Sequence, residues 1–158
     1  MPGSTFLMDA TGYMKMALQE ARTAFDAGEV PVGAIVVRKG VVIARAHNLV
    51  ETLRDATAHA EMQAITIAAG TLGSKYLNDC TMYVTVEPCP MCAAALAWAQ
   101  IGELVYGASD PKRGYTLFDG NGLAADSVKL LHPKTKVSIG VCAEESSALM
   151  KEFFAQRR

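Results

Sequence analysis

The sequence contains 158 residues, of which 51% are hydrophobic and 20% are charged, and this balance predicts one globular domain spanning residues 1–158. Its formal net charge of −1 argues against a protein that coats duplex DNA, because many phosphate contacts require a basic surface. The sequence contains no run of about 18 apolar residues, so we expect no membrane span. The N-terminus lacks the basic and apolar regions of a secretory signal. We therefore expect a cytoplasmic protein whose cysteines stay reduced.

The first third of the chain predicts a helix followed by a hairpin. Apolar residues recur at helical spacing from Tyr13 to about Ala27, and Gly28 follows as a stop. Two β-branched runs, Val32–Arg38 and Val41–His47, are joined by a Lys-Gly turn. This pattern predicts a hairpin of two buried strands.

The middle of the chain alternates helices with strands. A helical pattern extends from about Thr57 to Ala69, with Thr57 or Asp55 as its candidate N-cap. Cys80–Val86 predicts a strand. Pro88 suits the first position of a second helix, which runs from Cys89 to about Ala99.

The last third predicts two further strands and a terminal helix. The strands are Glu103–Ala108 and, after turn-rich residues, Lys136–Cys142. A helix over about residues 144–157 carries acidic residues at its start and basic residues at its end, as the helix dipole favours. Two strands followed by strands that alternate with helices indicate an α/β fold. We expect a three-layer α/β/α sandwich with a central mixed five-stranded sheet.

Two cysteines lie three residues apart in the segment VEPCPMCAAALAW. The predicted helix places Cys89 and Cys92 on one face of its first turn, where the helix dipole favours thiolates. A thiolate pair suits a metal site and equally suits a redox couple, and packing at the start of an apolar helix is a third interpretation.

His59 and Glu61, in the segment TAHAEMQAI, favour the metal site. Successive helix starts gather at the carboxyl ends of strands in α/β folds, so His59 is a plausible third ligand beside Cys89 and Cys92. Three protein ligands leave a fourth position open, which is typical of catalytic zinc. Glu61 supplies a proton carrier. Residues i and i+2 do not share a helix face, so His59 must lie at the frayed first turn.

Other interpretations of these residues remain open. Glu61 could simply complement the helix dipole as a first-turn acid. Cys80 or Cys142 could close the site as a fourth ligand, but both lie on predicted apolar strands and are typical of small core residues. A redox pair would leave His59 and Glu61 without a role.

The segments HAE and PCPMC fit the H-x-E…P-C-x-x-C signature of zinc nucleobase deaminases. Flanking segments extend the likeness: the chain resembles the bacterial tRNA-specific adenosine deaminases in EVPVGAIVV, DATAHAE, LNDCTMYVTVEPCPMC, LVYGASDPK and the terminal EFF…RR. The resemblance covers about residues 13–112 and is patchy afterwards. It implies a cytidine deaminase-like fold, a homodimer and, as partner, a tRNA anticodon stem-loop.

The resemblance also implies the roles of the motif residues. One zinc ion per chain would be bound by His59, Cys89 and Cys92, and Glu61 would be the general acid/base. Zinc-bound hydroxide would attack C6 of adenine at the wobble position, ammonia would leave, and inosine would be the product.

Eight further residues match positions that contact substrate in the family. Asn48 would contact the base, Val30 and Pro31 would line its pocket, and the remaining contacts would be made near flanking nucleotides and by the terminal helix. These remaining residues are Asp110, Lys112, Phe153, Phe154 and Arg157.

The chain departs from the family after Gly114. The family has small residues there, whereas this chain has Tyr115–Phe118. The LHPKTKVSIG segment lacks the family's asparagine–histidine pair, and AEES stands where a cysteine is common. An alternative function is therefore deamination of a free base or nucleoside of the guanine or cytosine type. A third is a noncatalytic zinc-stabilised binding module, against which an intact Glu61 argues.

Overall fold

A computed structural model describes residues 8–119 and 129–157, so the predicted domain boundaries at residues 1 and 158 lie outside the described residues. Within the described part, the chain forms five α-helices and five strands. The helices are α1 (Ala10–Asp26), α2 (Val50–Leu53), α3 (Ala60–Leu72), α4 (Pro90–Trp98) and α5 (Ala143–Ala155), with a 3-10 helix at Tyr115–Leu117. The strands are β1 (Gly33–Arg38), β2 (Val41–His47), β3 (Cys80–Val86), β4 (Glu103–Ala108) and β5 (Lys136–Ile139).

The strands form one mixed sheet in the order β2-β1-β3-β4-β5. β1 pairs antiparallel with both β2 and β3, while β4 is parallel to β3 and β5 is parallel to β4. β2 and β3 therefore run in the same direction on either side of β1. Because α3 follows β2 through the short α2, and α4 follows β3, the two helices begin at the same edge of the sheet.

Helices cover both faces of the sheet, which confirms the predicted three-layer arrangement. Along β1, side chains alternate between the faces: Ala34 and Val36 pack with the alanines of α3, whereas Ile35 and Val37 pack with Tyr13 of α1. Both faces of β1 are buried, and this explains its continuous apolar sequence.

Small residues bring the helices close to the sheet. The alanines of α3 recur every four residues on its buried face, at positions 60, 64 and 68. At the start of β1, a Cβ on Gly33 would overlap backbone atoms of Ala17 and Ala21 in α1. The layers around the site are therefore fixed by close backbone packing. Within the described residues, no helix is both long enough and apolar enough to cross a membrane.

The predicted hairpin is present, but only one of its strands is fully covered. Lys39 and Gly40 form the turn and both have positive φ. β1 lies inside the sheet, whereas β2 lies at its edge, and Val41 is 60% exposed. The prediction of two buried strands is wrong for β2, because an apolar run does not distinguish an edge strand from a central one.

The predicted start of the third helix is wrong by three residues. α3 begins at Ala60, and its N-cap is His59 rather than Thr57 or Asp55. The Asp55 carboxylate instead accepts hydrogen bonds from the N–H and hydroxyl of Thr57, at 2.8 and 2.7 Å. This local turn satisfies the side chains that were expected to cap the helix.

Two other boundaries also differ. α4 begins at Pro90 with Cys89 as its N-cap, so Pro90 and not Pro88 occupies the first helical position. β5 ends at Ile139, and Cys142 is the N-cap of α5 with φ of 56°. Cys142 is half-buried and lies outside the sheet, whereas Cys80 is buried in β3 as expected.

Candidate functional site

The candidate site lies where α3 and α4 begin. His59 and Cys89 are the N-caps of these helices, and both have extended backbone conformations. His59 makes no side-chain bond to its own helix, whereas the Cys89 thiol is hydrogen-bonded to Cys92 in the first turn of α4. They converge: His59 Nδ1 lies 3.6 Å from Cys89 Sγ and 3.5 Å from Cys92 Sγ.

These three side chains have the spacing of a tetrahedral metal site. Their nitrogen and sulfur ligand atoms all lie within 4.8 Å of one another. Metal–nitrogen and metal–sulfur bonds of about 2.0–2.3 Å place tetrahedral ligands roughly 3.5 Å apart. The group could therefore hold one metal ion, and three protein ligands would leave the fourth position open.

Hydrogen bonds among His59, Cys89 and Cys92 shift the pKa of each of the three side chains. The hydrogen bond with Cys92 lowers the pKa of the Cys89 thiol to about 4, against the opposing effect of burial and with further help from His59. The same bond with Cys89, together with burial, raises the pKa of the Cys92 thiol. The bond with Cys89 also raises the pKa of His59. A metal ion would compete with these protons for the same lone pairs.

Glu61 lies beside this group in the first turn of α3. Its side chain is only 4% exposed. Burial is the largest cause that raises its pKa to about 7, and its carboxyl is a hydrogen-bond partner of Cys92. Because His59 precedes the helix while Glu61 is inside it, both side chains reach the same point although they are only two residues apart.

Asn48 follows β2 and is buried. Its Nδ2 donates to the carbonyl of Val30 at 3.4 Å, and its Oδ1 accepts from the N–H of Val50 at 3.3 Å. The next residue, Leu49, donates its N–H to the carbonyl of Ala58 at 2.9 Å, directly before His59. The structure thus brings the Asn48 segment against the loop that carries His59.

Glu29 anchors this segment and was missed by the sequence analysis. It is fully buried, and its carboxylate accepts from the N–H of Glu51 at 3.0 Å, the N–H of Thr52 at 2.6 Å and the hydroxyl of Thr52 at 2.7 Å. Val30 is half-buried and Pro31 is buried. An acidic residue four positions before the start of an apolar strand was the signal in the sequence.

Asp110 and Lys112 lie on the loop after β4. The Asp110 carboxylate accepts from the N–H groups of Lys112 and Arg113, both at 3.0 Å, so it holds the tip of its own turn. The side chains of Lys112 and Arg113 are exposed. The geometry presents two cations and leaves the Asp110 carboxylate engaged with backbone.

The divergent segment after Gly114 is part of the core. Tyr115 is buried in the cluster beneath α3 and α4, and its ring meets that of Tyr106 edge-on at 6.2 Å. Leu117 and Phe118 are exposed. Tyr115 therefore anchors the loop after β4 to the core.

The aromatic pair of α5 is divided between core and surface. Phe153 is buried against Phe25, with ring centroids 5.8 Å apart, whereas Phe154 is 48% exposed. The Arg157 guanidinium lies 3.6 Å from the Phe153 ring centroid. It also borders Gly28, directly before Glu29. The end of α5 is thus joined to the Asn48 side of the site.

Comparisons with known proteins agree with this geometry. The family model for MafB19-like deaminases matches residues 8–158, so the fold and site define a deaminase domain. Over 146 residues, the chain is 47% identical to the tRNA-specific adenosine deaminase of Aquifex aeolicus, covering 92% of this chain and 94% of that protein. The chain belongs to the tRNA-specific adenosine deaminase family.

Solved structures show the same relationship. A structure from a study of A-to-I editing by tRNA:A34 deaminases at the wobble position superimposes with a TM-score of 0.79 at 43% identity. The superposition covers 88% of this chain and 99% of the chain in that structure. A guanine deaminase from Bacillus subtilis gives a TM-score of 0.64 at 29% identity, covering 95% of this chain and 94% of that one. The cytidine deaminase-like fold is confirmed.

Glu29 gives a testable dependence of stability on pH. Burial alone raises the pKa of Glu29, but the bonds from Glu51 and Thr52, with the nearby charge of His47, outweigh it and hold the pKa below its ordinary value. Because the folded state binds this proton more weakly than the unfolded chain does, the carboxylate stabilises the fold above the unfolded pKa of about 4.3. That stabilisation is lost as the pH falls through the lower folded-state pKa.

We expect Glu29→Gln to lower the free energy of unfolding by about 1–3 kcal/mol at pH 7. The difference from the wild type should shrink below about pH 4.3. Urea denaturation between pH 3 and 8 measures this, with Glu51→Gln as a control that removes an exposed carboxylate from the same loop. A difference that does not vary with pH would contradict the role of the Glu29 charge.

Proposed function

We propose that this protein is a zinc-dependent hydrolase that deaminates adenosine to inosine at the wobble position of tRNA anticodons. The relatives support the substrate, since proteins 36–47% identical over most of the chain are tRNA-specific adenosine deaminases. The observation that carries the catalytic assignment is the buried Glu61 beside the His59, Cys89 and Cys92 group. A purely structural metal site has no use for a buried proton carrier.

His59, Cys89 and Cys92 would hold one zinc ion, whose preference for tetrahedral nitrogen and sulfur ligands suits this donor set. Zinc held there would activate a water molecule for attack on C6 of adenine. Four-ligand closure is disfavoured because Cys80 is buried in β3 and Cys142 caps α5.

Glu61 would carry the protons of the reaction. It would take one from the attacking water and deliver it to the ring nitrogen beside C6, and it would then move the proton of the new C6 hydroxyl to the leaving amino group. A C6–O bond forms, the C6–N bond breaks, and ammonia leaves, so adenosine and water become inosine and ammonia. Burial of Glu61 keeps solvent from exchanging these protons.

Asn48, Val30 and Pro31 would form the base pocket. The polar amide of Asn48 is positioned by two hydrogen bonds of 3.3–3.4 Å, which are long enough to yield to a better partner on the base. A loop nucleotide suits such a pocket, because an unpaired base leaves its stack at little cost.

The rim would contact the flanking nucleotides. Lys112 is exposed and can meet phosphate, and Asp110 holds the turn that presents it. On α5, the exposed ring of Phe154 can stack on a base. Buried Phe153 and the Arg157 side chain stacked on it support that ring from behind.

The second candidate function is deamination of a free base, because the Bacillus subtilis guanine deaminase shares the fold at 29% identity. The third is a noncatalytic binding module. The lower identity of the guanine deaminase and the buried Glu61 favour the tRNA enzyme over both.

We also propose that the protein is a cytoplasmic homodimer, as the family resemblance implies. Trp98, at the end of α4, is 85% exposed and would be covered by a second copy. Sedimentation equilibrium should give twice the chain mass of 16.8 kDa, and Trp98→Glu should give the monomer. A monomeric wild type would reject the dimer.

We expect Glu61→Gln to retain about one zinc per chain and to lose deamination by on the order of 10³-fold, because proton transfer fails. Metal analysis and inosine formation measure the two quantities. Glu103→Gln is the matched control and should keep activity. It removes a carboxylate at the start of β4, the end of that strand away from the loop that carries Asp110. Full turnover by Glu61→Gln would reject its role.

The substrate is tested with four candidates at equal concentration. An anticodon stem-loop with an unpaired adenosine should yield inosine, while the same adenosine inside a duplex, free guanine and free cytosine should not react. The duplex fails because its base is paired and stacked. Conversion of guanine or cytosine without conversion of the stem-loop would assign the free-base function instead.

A further inference from the structure

Glu87 is a buried carboxylate that the proposed reaction does not use. It lies between the end of β3 and the helix start that carries Cys89, and it is 5% exposed. Within residues 8–119 and 129–157, no basic side chain forms an ion pair with it. A buried charge without a cation must be stabilised by hydrogen-bond donors.

Among the residues that the structure describes, the donors to its side chain come from one loop. Oε1 accepts from the N–H of Asp110 at 3.0 Å, and Oε2 accepts from the N–H and hydroxyl of Thr116 at 3.0 and 2.7 Å. Both ends of the loop are therefore held by the same carboxylate. None of these donors belongs to His59, Cys89 or Cys92, so the side chain acts on the loop and not on the metal ligands.

The loop packs directly on the carboxylate. A Cβ on Gly114 would overlap all three atoms of the Glu87 carboxyl group, so only glycine allows this approach. Two backbone hydrogen bonds also connect these segments. Tyr115 donates its N–H to the carbonyl of Pro88 at 2.9 Å, and Glu87 donates its own N–H to the carbonyl of Ala108 at 2.8 Å. The loop and the start of α4 thus share one rigid junction.

This junction determines where two exposed cations lie. Glu87 holds the Asp110 backbone, and the Asp110 carboxylate in turn holds the N–H groups of Lys112 and Arg113. Their side chains project from a turn whose position is fixed relative to the helix start carrying Cys89. Phosphates flanking a base bound at the site carry the complementary charge.

We propose that Glu87 is a positioning residue that sets the affinity for the RNA substrate by fixing the loop of residues 110–116 at the rim of the site. This inference rests on the proposed tRNA function. Glu87 does not contact substrate in this role. Its effect reaches the RNA through the backbone of Asp110 and the side chains of Lys112 and Arg113.

Glu87→Gln tests the proposal because it keeps the shape and removes one acceptor. Its amide NH₂ would face the two donors of Thr116, or its single oxygen would leave Asp110 without a partner. We expect KM for the stem-loop to rise about tenfold, with kcat changed less than threefold and zinc content unchanged. The change in charge alone predicts a lower KM, since removing a negative charge favours RNA binding.

Salt dependence separates positioning from general damage to the fold. If Lys112 and Arg113 lose their phosphate contacts, the slope of log kcat/KM against log salt should become shallower by about 0.7 for each contact. Glu103→Gln, which changes the charge equally at the far end of β4, should keep the wild-type KM and slope.

Thr116 provides a milder test should Glu87→Gln fold poorly. Thr116→Val removes only the hydroxyl donor and should raise KM about threefold, and Thr116→Ser should restore it. The inference is overturned if KM and salt slope remain wild-type, if kcat falls alone, or if zinc is lost. Absence of stem-loop turnover by the wild type would instead reject the proposed function, and the inference with it.

Discussion

The site depends on one topological constraint, the common direction of β2 and β3 on either side of an antiparallel β1. Chains leaving these two strands emerge at the same edge of the sheet, and each continues into a helix start. His59 and Cys89 occupy the N-cap positions of those helices, where both have extended backbones. Close alanine packing of α3 on the sheet then fixes the distance between them.

Buried carboxylates hold the two sides of this edge in the same way. Glu29 binds three donors from the residues around α2, and Glu87 binds three donors from the loop after β4. In each case a threonine supplies both its N–H and its hydroxyl. The first turn of a helix such as α2 and an irregular loop both leave N–H groups without regular backbone partners, so a carboxylate with two oxygens accepts from them.

Sequence patterns predicted the elements better than their ends. The hairpin, β3, β4 and the helices α1, α3, α4 and α5 followed from apolar periodicity and turn residues, whereas the short α2 was not predicted. The N-cap of α3 did not, because Thr57 and Asp55 satisfy each other in a local turn and leave the cap to His59. The edge position of β2 could not be predicted either, since the exposure of Val41 depends on which strands flank β2.

The sequence by itself determined the chemistry of the candidate site. His59, Glu61, Cys89 and Cys92 were identifiable as candidate ligands and proton carrier because metal ligation and proton transfer would require particular functional groups at short, recognisable spacings. Only the tertiary structure decided what Glu29 and Glu87 do, which face Phe153 and Phe154 turn to, and how Tyr115 fits the core. These roles arise from contacts between segments far apart in the chain. Local sequence encodes the groups that can react or bond, but only the folded backbone selects the partners that meet them.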